Sequence, residues 1–133
     1  MEHPKNETRE VFLPRVRQIL RETPLIDGHN DMPWRYIKDV DNDLERLDFS
    51  KDTSVISPTM CTDIPRMRLG MLGGQFWGIY IPEEWPNRDQ AALRQIQLVH
   101  DIETRFPDDL EAAITAEDVA RIHRGDRIAS LIG

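Results

Sequence analysis

The stretch Pro24-Leu-Ile-Asp-Gly-His-Asn-Asp-Met-Pro-Trp34 places metal-binding side chains directly after a short apolar segment. The apolar residues predict a buried strand, and the alternation of side chains along a strand predicts that Asp27, His29 and Asp31 share one face. An imidazole and a carboxylate two residues apart can bind one divalent cation, because both are zinc ligands. Taken alone, the triplet favours an ordinary turn in which Asp31 bonds to local backbone.

Length and composition set limits on the class of protein. A chain of 133 residues with 39% hydrophobic and 31% charged residues is typical of one globular domain. The net charge of −7 argues against nucleic acid as the main partner. The single cysteine, Cys61, excludes an intrachain disulfide. Residues 1–8 are predicted to be a flexible tail. With no signal-like or membrane-spanning apolar segment and no membrane anchor in this chain, a cytoplasmic location is expected.

Apolar periodicity predicts alternating strands and helices, which is the α/β pattern. The predicted strands are the one entering His29, residues 75–81, and residues 127–133. The predicted helices are a first helix from about Leu13 with Pro14 in its first turn, a short helix over residues 62–69 broken by Pro65, a long helix capped by Asp89, and a helix with a capping box from Thr115 to Asp118 that ends at Gly125. Residues 35–58 are predicted to be a charged, irregular and solvated loop with short helical turns.

Four segments, in order, resemble signatures of the membrane (renal) dipeptidase family, zinc metallopeptidases of the amidohydrolase superfamily. They are the opening stretch, Thr62-Asp-Ile-Pro-Arg-Met-Arg-Leu-Gly70, Gly73-Gly-Gln-Phe-Trp77 and Ile128-Ala-Ser-Leu-Ile-Gly133. The resemblance implies a (β/α)8 TIM barrel with its catalytic groups at the carboxyl ends of the strands. Residues 1–133 would be a single incomplete domain, the N-terminal part of that barrel with about three of its strands.

The resemblance also implies the chemistry. His29 and Asp31 would bind one of two Zn²⁺ ions, while a glutamate after the third strand and later histidines would complete the site. Zinc would activate water to hydrolyse the peptide bond of dipeptides. Trp34 either lines the substrate pocket or anchors a surface loop. His3, His100 and His123 have no ligand-like partner at a useful spacing and are assigned no metal role.

The family's third strand continues into Glu-Gly-Gly-His, which follows the point where this sequence stops. We therefore expect a truncated dipeptidase that binds zinc weakly and has no activity alone; a full-length protein could form a homodimer. Two alternatives stay open. One is a non-catalytic fragment that associates with full-length subunits. The other is a different amidohydrolase branch, such as a deacetylase or lactonase, although most of those carry His-x-His after the first strand.

Overall fold

Within residues 7–133, which the computed structural model describes (side chains from residue 10 on), four strands form one parallel sheet. They are β1 (Leu25–Asn30), β2 (Leu72–Trp77), β3 (Leu110–Ala112) and β4 (Ile128–Ile132). Their spatial order is β1-β2-β4-β3. The three predicted strands are confirmed, and β3 is an addition. Three residues are too few to show alternation, so β3 is defined only by its pairing with residues 128–130 of β4.

Five helices in the same part of the chain alternate with the strands. They are α1 (Glu7–Glu22), α2 (Met32–Val40), α3 (Ile64–Leu69), α4 (Arg88–Arg105) and α5 (Ala116–Arg124), with a 3-10 turn at Thr53–Val55. The predicted α/β class is thereby confirmed. None of the described helices is both long enough and apolar enough to cross a bilayer.

The first helix is longer than predicted. It begins at Glu7, so residues 7 and 8 are helical and do not belong to a tail; the rest of the predicted tail, with His3, lies outside the described residues. Pro14 lies inside α1 and not in its first turn. A proline removes one helical hydrogen bond, and here the residues on both sides remain helical. Phe12 and Val16, which recur at helical spacing in this segment, are exposed on α1.

Part of the segment predicted to be irregular is helical. α2 extends to Val40 and begins with a proline near its N-terminus, a position that suits proline. Met32, Tyr36 and Val40 recur at a spacing of four and are buried on one face. Charged residues between them concealed this periodicity, and the loop prediction over residues 35–40 is wrong.

Two boundaries around the second strand also differ. α3 begins at Ile64 with Pro65 in its first turn, so this proline starts the helix and does not break it. β2 covers residues 72–77 and ends four residues before the predicted end, Ile81. Its last residue, Trp77, pairs with Ile132, the last residue of β4.

The helix caps are partly as predicted. Asn87 occupies the N-cap of α4, and Asp89, the predicted cap, lies in the first turn. The capping box of α5 is confirmed, because Thr115 and Asp118 exchange both of its hydrogen bonds. Gly125 is the C-cap of α5, as predicted.

The two faces of the sheet carry separate apolar cores. On one face Trp77, Leu110 and Ile128 pack against α2 and α4. On the other face, Phe76 and Leu131 pack against α5. Right-handed crossovers account for this division, because the chain moves from β2 past the position of β4 to β3 in one direction, through α4, and returns from β3 to β4 in the other, through α5. The buried residues of α4 are Ala91, Gln95, Leu98, Val99 and Ile102.

Candidate metal centre

β1 contains one extra residue just before the metal-binding motif. Asp27 pairs with Gln75 and Asn30 pairs with Trp77, so three steps along β1 match two steps along β2. An extra residue of this kind is a β-bulge, which interrupts the alternation of side chains. Asp27 consequently lies on the α3 side of the sheet, where it lines a small cleft. His29 lies on the opposite side, and the prediction that Asp27 shares its face is wrong.

His29 and Asp31 meet at the carboxyl edge of the sheet. Nε2 of His29 is 3.0 Å from Oδ1 of Asp31. Both side chains lie over Gly78, where a Cβ would be 2.6 Å from Cε1 of His29 and 3.1 Å from Oδ1 of Asp31. The histidine side chain is 67% exposed and the aspartate 45%. The glycine therefore leaves room for an accessible imidazole–carboxylate pair above the end of β2.

The separation of the two donors fits a single zinc ion. Zn–N and Zn–O bonds are about 2.0–2.2 Å long, so two donors on one ion at 90–110° lie about 3.0–3.4 Å apart. The observed 3.0 Å is at the lower end of this range. Among residues 7–133, however, no three His, Cys, Asp or Glu side chains come together in a way that could hold a metal. The described residues thus supply two ligands, one fewer than the three protein ligands of a catalytic zinc site.

The carboxylate of Asp31 is left to pair with His29 because Asn30, and not Asp31, accepts the first N–H of α2. Asp31 occupies the N-cap, but its side chain makes no capping hydrogen bond. The N–H of Met32 instead donates to Oδ1 of Asn30 at 2.9 Å, and Pro33 has no N–H to satisfy. Sequence reasoning missed this role of Asn30, although an Asn just before a helix start is a capping signal.

A buried network reaches Asn30 from the α3 side. Nδ2 of Asn30 donates to Oγ1 of Thr62 at 2.7 Å, and the Thr62 carbonyl accepts from Oγ1 of Thr53 at 2.8 Å. The adjacent Asp63 is buried and accepts from the Thr53 N–H at 3.1 Å and from Nε of Arg66 at 2.7 Å. Burial raises the pKa of Asp63, but the hydrogen bonds from Arg66 and Thr53 outweigh it, so the pKa is lowered overall. The ionised carboxylate therefore anchors this network.

Trp34 lies on α2 and is only 9% exposed. Its ring meets that of Trp85 edge-on at 4.8 Å and that of Tyr80 at 6.0 Å between centroids. Ile37 and Ala91 complete this apolar cluster. The tryptophan therefore joins α2 to α4 and to the segment after β2, and its predicted contact with substrate stays a prediction.

The other described histidines lie away from this edge of the sheet. Nδ1 of His100 is 2.9 Å from Oε2 of Glu103 on α4. Nε2 of His123, near the end of α5, is 3.2 Å from the carbonyl oxygen of Arg21. The His100 ring thus has a partner on its own helix, and the His123 ring has a partner on α1.

The sequence is similar to one family profile and to individual dipeptidases. The profile of membrane dipeptidases (peptidase family M19) matches residues 13–133. Dipeptidase ataJ of Aspergillus terreus is 38% identical over 132 residues, which cover 92% of this chain and 31% of that protein. Dipeptidase verJ of Clonostachys rogersoniana is 32% identical over 135 residues, covering 91% and 33% respectively.

Solved structures share the fold. A metallo peptidase from Rhodobacter sphaeroides, liganded with a phosphinate mimic of the dipeptide L-Ala-D-Ala, superposes with a TM-score of 0.68 at 21% identity, over 82% of this chain and 37% of that one. The probable dipeptidase PvdM from Pseudomonas aeruginosa gives a TM-score of 0.67 at 19% identity, over 98% and 31%.

The parallel sheet and these structural matches define part of a TIM-barrel fold of the dipeptidase type. The chain belongs to the membrane dipeptidase family, M19. It spans about a third of the length of the relatives that it matches. The resemblance and the fold class predicted from the sequence are both confirmed.

Proposed function

We propose that this chain provides the first metal ligands of a zinc-dependent dipeptidase. The observation that carries the proposal is the convergence of His29 and Asp31, 3.0 Å apart, at the carboxyl edge of a parallel sheet. Barrel enzymes hold their catalytic groups at this edge. Zinc in such a site activates water for attack on a peptide carbonyl.

The residues around this edge either bind the ion or support the residues that bind it. The imidazole of His29 and the carboxylate of Asp31 hold the ion, and Gly78 leaves the space that they occupy. Oδ1 of Asp27 accepts the N–H of His29 at 3.2 Å, which restrains the backbone that carries the imidazole. In a complete protein of the family, two Zn²⁺ ions and a dipeptide would be bound with further groups that residues 7–133 do not bring to this edge.

Zinc titration of the purified chain tests the metal assignment. We expect weak binding by calorimetry that is lost in His29→Ala and in Asp31→Asn. His100→Ala is the matched control, because His100 forms a similar imidazole–carboxylate pair with Glu103 at 2.9 Å on the surface of α4. Equal zinc binding by His29→Ala and the wild type would overturn the assignment.

A chimera tests the activity. Residues 13–133 of this chain would replace the matching segment of an active family dipeptidase, and hydrolysis of Gly-D-Ala with added Zn²⁺ would be measured. We expect turnover by the chimera, its loss in the His29→Ala version, and none by the 133-residue chain alone. A chimera that folds and binds zinc but stays inactive would contradict the proposed function.

A second role, as a non-catalytic partner of intact family members, is favoured by the open edge of β4. Among the described residues, β3 pairs only with residues 128–130, and the backbone groups of Ile132, which face the same side as those of Ser130, extend beyond the end of β3. Ile114, near this edge, is 92% exposed. Such an edge can pair with a strand of another chain. Co-purification with an intact homologue, abolished by a charged substitution at Ile132, would support this role.

A further inference from the structure

Both polar atoms of the Asn30 side-chain amide form hydrogen bonds. Its Oδ1 accepts the first N–H of α2, from Met32, at 2.9 Å, and its Nδ2 donates to Oγ1 of Thr62 at 2.7 Å. The residues on either side of it in the chain are His29 and Asp31. The side chain of Asn30 therefore fixes the backbone from which both proposed ligands project.

Packing does little to hold the two ligands. The His29 side chain is 67% exposed and that of Asp31 is 45% exposed. β1 is an edge strand, and beyond its bulge the hydrogen bond from the Gly78 N–H to the Asn30 carbonyl, at 2.9 Å, ties it to the chain after β2. The orientation of the two ligands therefore depends on how firmly the Asn30 backbone is held.

Thr62 is a firm attachment point. Its side chain is largely buried, and its carbonyl accepts from Thr53 at 2.8 Å. The next residue, Asp63, is the N-cap of α3 and is paired with Arg66. The hydrogen bond between Asn30 and Thr62 thus connects the exposed ligands to a buried network on the other side of the sheet, 32 residues further along the chain.

We infer that Asn30 and Thr62 are positioning residues, whose hydrogen bond keeps the donors of His29 and Asp31 within chelating distance of one cation. This inference rests on the proposed function, because it assigns a role in the same site. Hydrogen-bond partners behind metal ligands commonly change metal affinity 10–100-fold. Here the bond acts through the backbone and not on a ligand atom, so the lower end of that range is expected.

Thr62→Val is the decisive variant, with Thr62→Ser as its matched control. Valine has nearly the shape of threonine but cannot accept the Asn30 amide, whereas serine keeps the hydroxyl. We expect the zinc dissociation constant to rise about tenfold in Thr62→Val and to stay close to wild type in Thr62→Ser. If Thr62→Val does not fold, Thr62→Ala removes the same acceptor without adding bulk.

A second readout does not require zinc. In the metal-free chain, the closeness of the His29 ring to Gly78 predicts a nuclear Overhauser contact between the ring Hε1 and a Gly78 Hα. We expect this contact to be weakened in Thr62→Val and kept in Thr62→Ser. An unchanged contact together with unchanged zinc affinity, even in a less stable Thr62→Val, would show that the bond is only structural and overturn the inference. If wild-type zinc binding does not depend on His29, the proposed function fails, and the Overhauser contact alone then decides the positioning role.

Discussion

Replacing Gly73 with alanine is expected to force β1 and β2 apart at their amino ends. A Cβ at this position would lie 2.5 Å from Cβ of Pro24, 2.7 Å from its Cα and 3.1 Å from the backbone nitrogen of Leu25. Carbon atoms in contact are normally about 3.5–4.0 Å apart, so the shortfall is about 1 Å. The opposing atoms belong to a proline ring and to backbone, and neither can move away by a side-chain rotation.

The cost follows from this rigidity. Overpacking of a well-fitted contact costs about 1–3 kcal/mol, and within residues 7–133 β2 is the only strand that pairs with β1. We expect Gly73→Ala to lower the free energy of unfolding by about 2–3 kcal/mol. Gly28→Ala is the control within the same strand pair, because a Cβ there has no atom within 4 Å and Gly28 does not have a positive φ. That change should raise stability by about 0.4–1 kcal/mol through the unfolded chain.

Urea and thermal unfolding followed by circular dichroism would measure the difference. A change of 1 kcal/mol shifts the Tm of a chain of this size by about 3–4 °C, so the two alanine variants should differ by roughly 7–15 °C. If Gly73→Ala unfolds at the same midpoint as Gly28→Ala, the close approach of Pro24 to β2 is wrong.

Two further variants test the buried polar groups. Nε1 of Trp77 donates to Oγ of Ser130 at 2.8 Å, and both side chains are buried. Ser130→Ala should lower the free energy of unfolding by about 1–3 kcal/mol, because it leaves the indole N–H without an acceptor. An unchanged urea midpoint would contradict this expectation. Asp63→Asn should cost about 1.5–3 kcal/mol at pH 7, because it removes a charge-assisted hydrogen bond. Burial raises the pKa of Asp63, but hydrogen bonding lowers this pKa overall. The stabilisation by the Asp63 carboxylate is therefore complete above the usual aspartate pKa of about 3.9. It is lost as the pH falls through the lowered pKa of Asp63 in the folded state. The stability difference between Asp63→Asn and wild type should therefore be constant near neutral pH and shrink below about pH 4; a difference independent of pH down to acid unfolding would refute the ionic role.

Much of the candidate site could be predicted because the relevant information is local. The apolar run before His29 predicts a strand, and the two-residue spacing to Asp31 brings the donors together, as the structure has them. The role of Asp27 could not be predicted, since the bulge that turns it to the other face depends on the register against β2. The contact between Asn30 and Thr62 joins residues far apart in the chain, and no local pattern encodes it.

The fold shows the same division between local and non-local information. The capping box at Thr115 and the α/β alternation depend on neighbouring residues and were predicted correctly. Proline was misleading as a boundary marker, since Pro14 lies inside α1 and Pro65 opens α3. β3 exists only through its pairing with β4, so its three residues carry little signal of their own.

The position of β4 in the sheet has a consequence for synthesis on the ribosome. β4 follows the other three described strands in the sequence, yet it lies between β2 and β3. During translation the earlier strands leave the exit tunnel before the strand that joins them, so β3 emerges with no strand to pair with. The sheet can close only after residues 128–132 have emerged, and pairing between distant segments is slow. The nascent chain therefore depends, until that moment, on protection of its apolar strands from aggregation.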